Sequence, residues 1–241
     1  MIIDKEKCIG CGVCLKYCTV QAISLLDKVA VVDPERCTEC YVCLRKNVCK
    51  QKAIMPNELH NFCKVFQHIL SDPVETIAGT GVTGRGTEES KTNDVTGRVK
   101  KGDVGICIDM GRPGIGVYLR DAEKVAMACA RAGVEFLGPN ETPLAQIMSD
   151  IKTGKFRDEC LDYHLLSVII EGKCKESDLP AVLRALQKVE KEINTVFSLG
   201  IMVRVDEDGQ TKALDCLEEL GIPQPVRGKV NVGLGRPLSL D

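Results

Sequence analysis

Apolar positions change their rhythm along this chain, and each change predicts an element. Ile2-Ile3 and Val31-Val32 read as short strands, and Ala22-Ile23 and Ala53-Ile54 return as matching apolar pairs further on. Leu59, Phe62, Phe66 and Leu70 stand at helical spacing and predict a short helix over residues 59–71. Residues 73–116 lose that rhythm; ten of the 22 glycines fall there. Val104 to Asp109 restores a strand pattern, and Asp121 is placed to cap a helix through EKVAMACARAG that Gly133 stops. Val134 to Leu137 reads as a strand, and Thr142-Pro143 reads as the opening of a helix over LAQIMSDIKTG.

Leu165 to Ile170 is an apolar, β-branched run. Ser177 begins a helix whose Leu179, Val182, Leu183, Leu186, Val189 and Ile193 form one stripe. A strand over 195–205, a helix over 211–220 ending at Gly221 and a last strand over 229–234 complete the pattern, with room for an extra strand near 222–227. The order from 165 onward is β-α-β-α-β, and 104–138 gives another β-α-β. Such units build split β-α-β sandwiches with helices on one face of a mostly antiparallel sheet. A doubly wound parallel sheet is the competitor. Alternation over 196–206 implies a sheet with two different faces, so the expected fold class is α+β.

Cysteine supplies the chemistry. Cys8, Cys11, Cys14 and Cys18 form C-x2-C-x2-C-x3-C, and Cys37, Cys40, Cys43 and Cys49 repeat its beginning. The flanks repeat too: Asp4 to Cys8 reads DKEKC, and Asp33 to Cys37 reads DPERC. Cys8 and Cys37 are 29 positions apart, whereas Cys18 and Cys49 are 31 apart, so two residues are inserted before Cys49. Self-similarity of this kind marks duplicated units sharing one core. Each [4Fe–4S] cube takes four thiolates, and two-residue gaps let one short turn offer successive sulfurs to it. Structural zinc normally shows two separated C-x2-C pairs instead. Disulfides need an oxidising compartment, and the opening MIIDKEKC is not an apolar signal segment.

Over residues 1–58 the sequence resembles the bacterial-type two-[4Fe–4S] ferredoxins. That resemblance implies two cubes with exchanged fourth ligands: Cys8, Cys11, Cys14 and Cys49 on one, Cys37, Cys40, Cys43 and Cys18 on the other. Two departures stand out. The family's proline after the fourth cysteine is Thr19 in one half and Lys50 in the other, and the second run ends in C-x5-C. The expected organisation is a two-[4Fe–4S] ferredoxin domain over 1–58, a helix and Gly/Arg/Thr-rich connection over 59–102, and a larger α+β sandwich domain with split β-α-β units over 103–241. Tyr17 and Tyr41, next to the cysteines, are expected to shield the cubes from water.

Charge and composition narrow the function. The formal net charge of −2 argues against a nucleic-acid footprint, and sparse aromatics with no tryptophan argue against a base-stacking platform. No apolar run reaches membrane-spanning length, so the expectation is a cytoplasmic protein in a reducing, oxygen-poor setting. Residues 1–58 carry nine Lys/Arg and seven Asp/Glu. Counting thiolates and two cubes, that domain comes near −2, less acidic than freely diffusing ferredoxins. Such balance suits a domain docked on its own chain or in a fixed complex with a redox partner protein or subunit; compositional scatter explains it equally well.

Several further residues invite a ligand. Gly79, Gly81 and Gly84 satisfy G-x-G-x-x-G, but Arg85-Gly86-Thr87-Glu88 is a poor start for the helix that a dinucleotide site needs. The glycines with Arg85 could instead hold an anionic cofactor or substrate, or the segment could be disordered. Gly-Arg-Pro ends two candidate strands, at Arg112 and at Arg236. Matched strand exits explain both; the sharper expectation is that the two arginines meet and grip an anion. His60, Cys63 and His68 resemble a metal trio, yet His68 lies off their common helix face, so Cys63 is expected to be core packing. Cys107, Cys129, Cys160, Cys174 and Cys216 read as buried small hydrophobes, and His164 as structural. Three functions follow: electron transfer through two clusters to a partner docked by the C-terminal domain, an oxidoreductase whose C-terminal domain binds an organic anionic cofactor or substrate, or a redox-linked ligand sensor.

Overall fold

A computed structural model describes residues 1–76, 97–208 and 210–223. Within residues 1–58 two copies of one strand–helix–strand unit face each other. The first comprises β1 (Ile2–Ile3), α1 (Val13–Tyr17) and β2 (Ile23–Leu26); the second comprises β3 (Val29–Val32), α2 (Val42–Arg45) and β4 (Ile54–Met55). Each unit's first strand pairs antiparallel with the other unit's last one, β1 with β4 and β3 with β2. Their shared core holds Val20, Ala22, Ile23, Ala30 and Ile54 around Cys14, Cys37 and Cys43. Helices of four and five residues cannot persist alone in water, so this core and the cysteines must hold them.

Helix α3 (Phe62–Ser71) leaves that unit. Asn61 caps it through its side chain, which accepts from the Lys64 amide at 2.8 Å. Cys63, Phe66 and Leu70 face the core of the larger domain. Cys63 is disulfide-bonded to Cys160 across 97 positions, which corrects the expectation that both are unpaired packing residues.

The larger domain is built on a four-stranded antiparallel sheet in the order β12-β5-β11-β7. Its strands are β5 (Asp103–Met110), β7 (Glu135–Phe136), β11 (Val168–Lys175) and β12 (Phe197–Met202). Helix α4 (Leu119–Arg131) connects β5 to β7, and α5 (Leu179–Val189) connects β11 to β12. Each connection skips one intervening strand, so the strands it joins run parallel with an antiparallel strand between them. This is a pair of interlocked split β-α-β units. Val104, Ile106, Ile108 and Met110 project from one face of β5 into a core shared with Ala122, Val125, Val182, Leu183 and Leu186.

Several elements depart from the sequence pattern. Asp121 lies in the first turn of α4 instead of capping it; its buried carboxylate accepts from Lys124 Nζ at 2.9 Å and from the Asn194 amide at 3.2 Å. The expected helix after Pro143 is a 3-10 turn (Pro143–Ile147) followed by a hairpin of β8 (Met148–Asp150) and β9 (Lys155–Phe156). Gly154 explains the reversal: its φ is 72°, and an added Cβ would press on the Ala126 carbonyl of α4. The apolar run over 165–170 is split between β10 (His164–Leu165), which pairs with β6 (Val117–Tyr118), and β11. The helix over 211–220 is a 3-10 turn and the short α6 (Asp215–Glu219). The strand expected over 229–234 lies outside the described residues, as does most of 222–227.

Candidate metal centre

The internal repeat extends to backbone detail. Gly12 and Tyr41 take equivalent left-handed positions, φ 71° and 55°, immediately before α1 and α2. Gly10 and Glu39 do the same one step earlier, at 67° and 53°. Asp4 and Asp33 each turn their carboxylate onto the amides two residues ahead, at 3.0 and 2.9 Å. Their carbonyls accept from the Cys8 and Cys37 amides, each at 3.0 Å. At the other end the Ala22 amide donates to Cys18 Sγ at 3.1 Å and the Ala53 amide to Cys49 Sγ at 3.3 Å. Left-handed backbone at two alternate positions curls the chain so that three cysteines of one run face a common point.

Two buried thiols have neighbouring cysteines from both runs. Burial raises the Cys14 thiol, and the nearby Cys11, Cys8 and Cys49 raise it further. Cys43 is pushed up to about 12, first by burial and then by Cys40, Cys37 and Cys18. Each buried central thiol therefore feels the fourth cysteine of the opposite run. Cys18, Cys37, Cys40 and Cys43 also line one recess together with Thr38 and Tyr41.

These residues fit an iron–sulfur cube. Four soft thiolate donors converge on an apolar-walled space, the ligand type that such clusters take. Thr38 adds an independent sign: its Oγ1 is buried without a hydrogen-bond partner, although its residue lines the recess. A buried hydroxyl with no acceptor costs free energy unless a bound group supplies one. Amides already aimed at Cys8, Cys18 and Cys49 are the donors that stabilise sulfur-borne negative charge.

The two sets differ in what surrounds them. Cys11 is exposed, while Cys37 and Cys43 are buried. The larger domain closes over the second set. Gln67 donates to the Cys37 carbonyl at 3.0 Å and to the His164 carbonyl at 2.7 Å. The His164 ring lies between the carbonyls of Arg36, 2.7 Å away, and Ile115, 2.9 Å away, and stacks on Tyr118. The Gly114 amide donates to the carbonyl of Thr19, the residue after Cys18, at 2.5 Å. Beneath them, Glu39 is buried and pairs with Lys64 at 3.3 Å and with the Met1 ammonium at 2.5 Å. None of these contacts has a local sequence signal, because each joins segments far apart in the chain. The strand exit Gly111-Arg112-Pro113-Gly114 was visible; its place against Thr19 was not.

Other expected site residues fall as follows. The Arg112 guanidinium donates to the Asp109 and Gly111 carbonyls and to Ser198 Oγ at 2.8 Å, and pairs with the Asp109 carboxylate at 3.1 Å. Arg236, Gly79, Gly81, Gly84 and Arg85 lie outside the described residues, so the meeting of Arg112 with Arg236 does too. Of the expected trio, His60 precedes α3 and is exposed beside Glu58, Cys63 is in the disulfide, and His68 Nδ1 meets the Glu39 carbonyl at 2.7 Å. Sequence reasoning missed a different grouping, His68, Asp72 and Glu75, whose ligand atoms lie within 4.8 Å of one another. Its Asp72 is held by Arg45, so the carboxylate already has a cation. Tyr17 is 47% exposed, and Tyr41 packs on the His68 ring at 4.1 Å. Cys129, Cys174 and Cys216 are buried, as expected; Cys107 is partly exposed.

Residues 1–24 match the sequence profile of the 4Fe-4S binding domain family, a stretch that contains Cys8, Cys11, Cys14 and Cys18. No curated protein and no solved structure shows significant similarity to the chain. The N-terminal segment is thus ferredoxin-like, with iron–sulfur electron-transfer chemistry, on a chain of mixed helices and sheets. No described helix is long and apolar enough to cross a membrane.

Proposed function

We propose that this protein moves electrons through two [4Fe–4S] centres, one on Cys8, Cys11, Cys14 and Cys49 and the other on Cys37, Cys40, Cys43 and Cys18. The observation that carries the reading is the convergence of Cys18 on the opposite run's Cys37, Cys40 and Cys43, with which it lines one recess. A bound cube supplies one-electron storage at low potential. The chain supplies the rest. Eight thiols must lose their protons to bind, so loading releases protons and weakens as pH falls. Amides donate to the sulfurs of Cys8, Cys18 and Cys49, which favours the reduced, more negative state. Burial of Cys37 and Cys43 excludes water on one side.

Contacts of Gln67, His164 and Gly114 with the second cysteine set support delivery towards the larger domain and whatever redox partner or subunit it docks. They equally favour a second reading, an oxidoreductase in which that domain holds an organic cofactor or an anionic substrate. Anaerobic reconstitution separates these outcomes. Electron transfer through two centres predicts about eight irons and eight sulfides per chain. About four of each would overturn the two-centre assignment. A flavin-type absorbance after reconstitution would favour the oxidoreductase.

A further inference from the structure

The two cysteine sets are unequal in access, and this gives the pathway a direction. Around the first set the surface is apolar and open. Ile9 is 67% exposed and Val13 39% exposed, on either side of the exposed Cys11. Leu25 closes the same patch, since its Cδ1 would lie 3.6 Å from a Cβ at Gly12. The larger domain sends its contacts to the other set, through Gln67, His164 and Gly114. An apolar patch centred on a ligand cysteine brings a partner within electron-transfer distance without an intervening water layer.

Charge states what kind of partner fits. Between Cys40 and Asn57 the chain carries Arg45, Lys46, Lys50 and Lys52 and no acidic residue. This is the stretch lengthened by two residues relative to the first run, and hydrogen bonds tie it to the first set: the Ala53 amide donates to Cys49 Sγ, and the Ala53 carbonyl accepts from Asp4, whose own carbonyl accepts from the Cys8 amide. Arg45 is committed to Asp72. Lys46, Lys50 and Lys52 are exposed, and none makes an ion pair among the described residues. Asp4, whose amide donates to the Ala53 carbonyl at 2.8 Å, is neutralised by Lys7 at 2.7 Å. The Cys49 side of the patch is therefore basic.

We infer that the apolar patch around Cys11, with Lys46, Lys50 and Lys52 on its rim, docks a small acidic electron-carrier protein. Electrons enter at the first cysteine set and leave from the second towards the larger domain. The carrier gives up one electron per encounter, and the centre at Cys8, Cys11, Cys14 and Cys49 takes it up; no bond forms or breaks. Like-charged carriers are repelled and acidic ones steered, so association weakens as salt rises.

This rests on the two-centre reading, and the test keeps the two apart. Reconstituted full-length protein is compared with the variant Lys46→Glu/Lys50→Glu/Lys52→Glu, after iron counts have established loading. A purified acidic flavodoxin serves as the probe. Binding of the oxidised probe is measured by calorimetry, and electron transfer from its reduced form by stopped flow at several salt concentrations. The expected result is a roughly tenfold or greater loss of affinity and second-order rate in the variant, with a flattened salt dependence. Equal iron content and equal reduction by the small reductant titanium(III) citrate should accompany it. Unchanged affinity, or a native rate that does not fall with salt, would overturn the docking surface while leaving the iron count standing. Iron-free native protein would instead overturn the two-centre reading beneath it.

Discussion

Single residues set the shape of each cysteine loop, and their tolerance to change differs with what stands beside them. Gly10 and Gly12 both have left-handed backbone, but an added Cβ at Gly10 would overlap the Lys28 carbonyl, whereas at Gly12 it would meet only Leu25 at 3.6 Å. Gly12→Ala should cost about 1 kcal/mol, the ordinary price of the left-handed region for a residue with a Cβ. Gly10→Ala adds a backbone collision and should cost about 3 kcal/mol or more, with loss of iron from the first centre. Denaturation of the loaded protein with parallel iron release checks the pair; equal effects would contradict the assigned geometry. Tyr41 and Glu39 tolerate the same backbone in the second loop because neighbours hold them: Tyr41 packs on His68, and Glu39 is ion-paired.

Two buried thiols outside the cysteine runs give the larger domain a pH dependence. Burial raises Cys129 to about 12 and Cys174 to about 11. In the unfolded chain these thiols ionise near 9.0, so above that pH the unfolded state has fewer bound protons than the folded one. Stability is then full below about pH 9 and is lost as pH rises towards 11 and 12. Urea midpoints should stay level from pH 7 to 8 and fall at pH 10, and Cys129→Ala/Cys174→Ala should flatten that fall.

At the scale of elements, α3 is the joint of the molecule. One of its turns carries Cys63 into the disulfide with Cys160, and the next carries Gln67 onto the Cys37 and His164 carbonyls. Replacing both Cys63 and Cys160 by alanine should lower the unfolding free energy by about 2–4 kcal/mol without changing the iron count. Alkylation of the denatured, unreduced protein checks the bond itself: if both cysteines take up label, it is absent. The amphipathic helices α4 and α5 were legible because Val125 and Cys129, or Leu179, Val182, Leu183 and Leu186, repeat at helical intervals. The hairpin at 148–156 was not, because Leu144, Ala145 and Ile147 suit a helix face as well as a 3-10 turn. What decides it is the contact of Gly154 with α4, a tertiary event. The disulfide was hidden for a similar reason, since each partner sits in an apolar context with nothing to mark the other 97 positions away.

At the scale of the molecule, one repeat is joined to a four-stranded sheet with helices, and Gln67, His164 and Gly114 make contacts beside the second cysteine set. The repeat was legible down to its inserted residues, because thiolate spacing is dictated by the group it binds. The covering of the second set was not, because His164, Gly114 and Gln67 carry no spacing rule and reach it only through the fold. The ferredoxin-like segment is nearly charge-balanced, and one of its faces is contacted within the chain by Gln67, His164 and Gly114. The proposed exchange of Cys18 and Cys49 would make the two halves one unit.

That exchange is open to direct measurement. In full-length protein carrying Cys8→Ala and Cys11→Ala, only the second centre should load, with about four irons per chain. Adding Cys49→Ala should then leave the iron unchanged, while adding Cys18→Ala should remove it. Iron lost with Cys49→Ala and retained with Cys18→Ala would contradict the crossed assignment.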